Sequence, residues 1–159
     1  METKFNFKSQ VCTSVDQSRR LLELGLKKET ADMHYSYLRT NGDYELTATA
    51  YADLLRLKDR MNNRKILGMG WDELYGNNIP AWSLHRLIEM MPMTLIEDKE
   101  YHESWDLNIT PLWVIYRNQD TTDDWIGECL GQGMYNNIID CIEWLIKEGY
   151  FNKEYLCEK

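Results

Sequence analysis

The spacing of apolar positions switches between helical and strand-like periods along the chain. Val15, Ser18, Leu21 and Leu22 share one helical face. Ser14 and Gln17 stand at capping-box spacing before it, and Gly25 closes it with Leu26 placed to fold back on Leu21. From Met33 to Thr49 the period becomes two. Asn41-Gly42 is the pair favoured in a two-residue type I′ turn, and folding about it predicts a hairpin pairing Tyr37 with Leu46 and Tyr35 with Ala48. Residues 50–62 return to a helical period anchored by Tyr51, Leu54, Leu55 and Met61. Gly68, Gly70 and Gly76 interrupt the next stretch, which predicts a surface loop with one helical turn over Trp71–Tyr75.

Ile79 to Pro92 is a short segment with proline near each end and an apolar stripe of Ala81, Leu84, Leu87, Ile88 and Met91, which predicts a helix. Its start can be placed in two ways. Beginning at Pro80, it would project Trp82 away from the stripe, beside His85, Arg86 and Glu89. With Ser83 as the N-cap, Trp82 takes N′ and Leu87 takes N4, the hydrophobic-staple pair, and the Trp-Ser-Leu order favours this placement. After Pro92 the chain reads as strands. Tyr101, Trp105, Leu107 and Ile109 alternate with polar neighbours, LWVIYR is apolar on both faces, and WIGECLG carries Gly127 as a bulge or close-packing position. These three form an antiparallel meander. A last helix over residues 137–148 buries Ile138, Ile139, Ile142, Leu145 and Ile146, with Gly149 and Tyr150 as its stop. The fold class is α+β: an antiparallel sheet of about five strands, hairpin plus meander, with three to four helices packed mainly on one face. No linker or repeat interrupts residues 1–159, which predicts a single globular domain with residues 1–12 as a loose arm or short edge strand.

Charge adds one asymmetry. Arg56, Lys58, Arg60, Arg64 and Lys65 against Asp59 give that stretch a net +4 in a chain of net charge −8. The overall acidity repels nucleic acid and anionic membranes, while the basic stretch alone would suit a phosphate or an acidic partner. A solvated helix end, whose cations suit the C-terminal dipole, explains the same residues. No apolar run approaches the ~18 residues of a membrane span, and residues 1–14 lack the apolar core of a secretory signal. Cys12, Cys129, Cys141 and Cys157 show no CxxC spacing, the pattern of reduced thiols in a cytoplasmic protein.

Catalytic and metal signatures are weak. His34, His85 and His102 are isolated, with no HxxxH or HExxH, so neither metal nor cofactor is expected. There is no GxSxG, and Cys129 or Cys141 could serve as a thiol nucleophile only beside a histidine, packing being the simpler role. Gly127, Gly131 and Gly133 have the look of a phosphate-binding turn, but a meander precedes them where a dinucleotide fold needs parallel βαβ units.

Three blocks, LLELGLKKETADM at Leu21–Met33, IPAWSLHRLIEMMP at Ile79–Pro92 and IDCIEWLIKEGYFN at Ile139–Asn152, together resemble a group of uncharacterised small proteins carried by prophages and other mobile elements of gut anaerobes. The resemblance implies a shared fold and a mobile-element context, and no chemistry. The expected function is a small non-enzymatic accessory protein that recognises another protein or self-associates. Trp71, Trp82 and Arg86 are the contact candidates, since Trp and Arg are the usual energetic anchors of interfaces. Two alternatives stand beside it: an enzyme whose site assembles only in three dimensions, or nucleic-acid binding through residues 56–65 with Arg60, Arg64 and Lys65 as contacts.

Overall fold

A computed structural model of the chain describes residues 9–61, 64–66, 68–96, 104–121 and 124–158. Its elements run α1 (Val15–Glu23), β1 (Met33–Leu38), β2 (Asp43–Thr47), α2 (Tyr51–Met61), α3 (Trp71–Tyr75), β3 (Ile79–Ala81), α4 (Leu84–Met90), β4 (Thr94–Ile96), β5 (Ser104–Ile109), β6 (Trp113–Asn118), β7 (Trp125–Leu130) and α5 (Met134–Glu148). The α+β class stands. The single five-stranded sheet is corrected to two antiparallel sheets, ordered β2-β1-β3 and β4-β5-β6-β7, and the described helices number five. The added strands, β3 and β4, are three residues each. So short a strand has no period of its own and exists because β1 and β5 offer it a ladder. Tyr101, His102 and most of the expected N-terminal arm lie outside the described residues.

Local signals hold best at the helix ends. Ser14 Oγ accepts from Gln17 N–H at 3.3 Å and Gln17 Oε1 accepts from Ser14 N–H at 2.9 Å, completing the capping box of α1. At its other end Gly25 adopts φ +95°, and Leu26 N–H donates to Leu21 carbonyl at 3.1 Å. Replacing Ser14 with alanine leaves the Gln17 N–H without its acceptor. The expected loss is about 1 kcal/mol, read as a lower urea midpoint at unchanged slope.

The hairpin forms with its register slipped. Tyr35 faces Leu46 and Tyr37 faces Tyr44, so the loop is Arg39–Gly42 rather than Asn41-Gly42 alone. The slip is two residues, which keeps every side chain on its expected face. Asn41 drives it: its Oδ1 accepts from Asp43 N–H at 3.1 Å, while Gly42 N–H returns to Leu38 carbonyl at 2.8 Å.

Residues 79–81 are the second correction, because they form β3 beside β1, while the helix begins at Leu84 as the Ser83 placement expects. Ser83 is its N-cap, accepting from Arg86 N–H at 3.2 Å. Asp32 fixes that cap by accepting from both Ser83 N–H and Ser83 Oγ, at 2.8 and 2.5 Å. Helix α5 likewise begins a turn earlier than expected. Asn137, an N-cap type, lies fully buried inside the first turn, where it takes the Gln132 N–H and donates to Leu112 carbonyl. It ties the glycine turn to the loop before β6.

One buried cluster joins Leu21, Leu26, Trp82 and Leu87 to Val114, Tyr116 and the α5 residues Ile138, Ile139, Ile142 and Leu145. Helix α5 covers the inner face of the second sheet, its Trp144 ring 6.0 Å from that of Tyr116. Strand β7 carries a bulge: Gly127 and Glu128 together oppose Ile115, and Gly127 takes φ +65°. Among the described residues no helix is long and apolar enough to cross a membrane.

Candidate functional site

The structure scatters the six candidate contact residues. Trp82 is 0% exposed: its indole N–H donates to Thr30 Oγ1 at 2.9 Å, and its backbone exchanges hydrogen bonds with Thr13. A surface role for Trp82 is therefore corrected. It stands at N′ of α4 in the same buried cluster as Leu87 at N4, the staple arrangement. Arg86 pairs with Glu89 at 3.1 Å and does not line the cleft that holds Trp71, and its Nε is buried with no hydrogen-bond partner among the described residues.

Trp71, Arg64 and Lys65 do come together. With Lys58, Met61, Asp72 and Glu73 they line a cleft of about 290 Å³ between the end of α2 and α3, and Arg60 does not line it. The interactions inside the cleft are largely satisfied. Lys58 Nζ lies 4.7 Å above the Trp71 ring and 3.4 Å from Asp72, and Trp71 N–H donates to Leu54 carbonyl. Tyr75 packs on the same indole with centroids 5.8 Å apart. Trp71 thus docks α3 on α2, and the Asp72 and Glu73 carboxylates offset part of the cationic field of Arg64 and Lys65.

The histidines have local uses. His34 is buried, its Nδ1 against Thr49 carbonyl at 2.7 Å and its Nε2 against Ser36 Oγ at 3.2 Å, the satisfied state of a core histidine. His85 meets Glu89 at 3.0 Å, but its side chain is 83% exposed on an open helix face, where nothing excludes water from the pair. Among the described residues no three His, Cys, Asp or Glu side chains converge as metal ligands.

A more promising surface lies on the second sheet. Tyr116 faces α5, so alternation turns Trp113, Ile115 and Arg117 to the opposite face. Register sets Trp113 beside Leu130 and Arg117 beside Trp125. These five residues and Glu128, thrown outward by the bulge, enclose a notch of about 180 Å³. Trp125 is 47% and Leu130 53% exposed, so the notch opens to solvent between large apolar walls. The Arg117 Nε is buried with no hydrogen-bond partner among the described residues. Trp113 is held by its N–H to Asn108 Oδ1 at 3.3 Å, which fixes one wall. The signal for this site was present as the period-two run Trp113-x-Ile115-x-Arg117. LWVIYR is apolar on both faces, but α5 covers only one of them.

No family model, curated protein or solved structure matches the chain.

Proposed function

We propose that the protein is a non-enzymatic binding protein that takes a second, different protein on the outer face of the β4–β7 sheet. The observation that carries this is the convergence of Trp113, Trp125, Leu130 and Arg117 on one open notch, with an Arg117 Nε that is buried and unpaired among the described residues. Trp and Arg in such a setting are the residue types that dominate interface energies. An unpaired buried donor costs stability until an acceptor reaches it. The complementary partner presents a bulky apolar side chain for the notch next to a carboxylate for Arg117. The resemblance of the three sequence blocks to mobile-element proteins is the basis for an accessory role, and the four free thiols support a cytoplasmic setting.

Selection of a phage-displayed random peptide library on the immobilised protein tests this. Enriched peptides should carry an apolar residue beside Asp or Glu and lose about tenfold or more in affinity on Trp125→Ala or Arg117→Ala, about 1.4 kcal/mol. Trp125→Ala should leave the urea midpoint nearly unchanged, because the ring is half exposed. Peptides that bind both variants as well as the parent would sink the proposal. So would a concentration-dependent dimer abolished by Trp125→Ala, which gives the face to a second copy of the chain.

The cleft that gathers Arg64, Lys65 and Trp71 favours a second reading, single-stranded nucleic acid. That reading requires oligonucleotide affinity that falls steeply with salt and is lost when Arg60, Arg64 and Lys65 are neutralised together.

A further inference from the structure

We propose that Cys129 and Cys141 are a paired oxidation site, a dithiol that a hydroperoxide converts to a disulfide joining β7 to α5. The two residues lie in one buried cluster between the sheet and the helix. Cys129 sits opposite Val114, which is fully buried, and Cys141 is fully buried on the sheet-facing side of α5. Two residues from Cys129 and one helical turn from Cys141, the backbone of Gly127 meets the Trp144 ring so closely that a Cβ there would lie 2.7 Å from it.

These two pairs run along antiparallel elements. The bulge at Gly127 and Glu128 shortens the strand's advance from Gly127 to Cys129, and three helix residues rise about 4.5 Å, so the second pair lies one helical turn along from the first. The Cys129 and Cys141 thiols lie close enough for each to shift the other's protonation. Donation from Cys141 draws the Cys129 thiol down, against burial and the nearby Asp140 and Glu128 carboxylates, with Arg20 assisting. The same contact, together with burial, holds the Cys141 proton firmly. Cys129 is also the less buried of the two, 8% exposed against 0%, and is the thiol that meets the oxidant. The other two cysteines lack such a partner: Cys12 meets Tyr35 OH at 3.6 Å, and Cys157 is exposed.

With hydrogen peroxide as oxidant the chemistry closes in two steps. The Cys129 thiolate attacks one peroxide oxygen; the S–O bond forms, the O–O bond breaks, and the departing hydroxide takes a proton to become water. Cys141 then attacks the Cys129 sulfenyl sulfur; the S–S bond forms, the S–O bond breaks, and hydroxide leaves as a second water with the Cys141 proton. Two thiols and one peroxide give one disulfide and two waters. The new bond spans the glycine turn and constrains the unfolded chain, so the oxidised protein should melt at a higher temperature.

The test uses the full chain carrying Cys157→Ser, which removes the exposed thiol. After peroxide treatment of the folded protein, intact mass should fall by two hydrogens. Peptide mapping should show Cys129 linked to Cys141 with Cys12 free, and the melting temperature should rise by several degrees and return with dithiothreitol. In a Cys141→Ala version, dimedone should label Cys129 as the stranded sulfenic acid. The proposal is overturned if both thiols remain free under peroxide that oxidises Cys12, or if the linkage forms only in denaturant.

Discussion

Replacing Trp82 with alanine is expected to destabilise the fold by about 3–5 kcal/mol, the range for removing a fully buried large aromatic. Little compensation is available. The side chain is enclosed on every side, and the loss removes the indole N–H that Thr30 Oγ1 accepts, leaving that hydroxyl only its bond to Lys27 carbonyl. The backbone of the same residue exchanges hydrogen bonds with Thr13, so the void opens where the N-terminal segment meets the entrance to α4. A loss of this size approaches the whole stability of an ordinary domain. The variant should therefore show a sizeable unfolded fraction even without denaturant. Trp82→Phe keeps most of the volume and removes only the donor, for a smaller loss of roughly 1–3 kcal/mol. Urea unfolding of both variants gives the comparison. An alanine variant with the parental midpoint would return Trp82 to the surface and with it the interface role.

The two placements weighed for Trp82 differ by a few residues in where α4 begins, and that shows what the sequence made legible. Capping is local chemistry. Ser14 with Gln17, Gly25 with Leu26 and Gly149 with Tyr150 all sit within one turn of the helix they end, and each forms as its residue types require. Ile79-Pro80-Ala81 is different. Its conformation is decided by β1, more than forty positions earlier, which supplies the ladder that makes it a strand. No local pattern encodes that contact, so the apolar stripe of α4 was extended backward over residues that belong to a sheet. Strand β4 was missed for the same reason: it exists through its pairing with β5.

Site legibility divides along the same line. Arg64, Lys65 and Trp71 meet because α3 returns the chain to the end of α2, a nearly local event, although the sequence places Trp71 with Trp82 and Arg86 instead. The notch on the second sheet needs the pairing of β6 with β7 and the knowledge that α5 covers one face only. Parity gave the faces, but only the position of the helix says which face is bare. The bulge then matters as much as the strands. Without the extra residue opposite Ile115, alternation along β7 could not place both Trp125 and Leu130 on the outer face while Cys129 points inward.

That bulge depends on Gly127, and Gly127→Ala is the substitution expected to damage it most. Two independent penalties meet there. An L side chain at φ +65° costs about 1–2 kcal/mol relative to glycine. Its Cβ would also lie 2.7 Å from Cε3 and Cζ3 of Trp144, and overpacking of this kind costs about 1–3 kcal/mol. The indole has nowhere easy to go, because Tyr116 lies 6.0 Å and Tyr150 5.8 Å from it. The two penalties separate in a double-mutant cycle with Trp144→Leu. Removing the ring should relieve the steric share, so the double variant is more stable than the two single losses predict when added, by about 1–3 kcal/mol. The backbone share should persist in both backgrounds. Strict additivity would mean that the glycine and the indole do not touch, and the tight seating of α5 on β7 would have to be abandoned along with the register that brings Cys129 to Cys141.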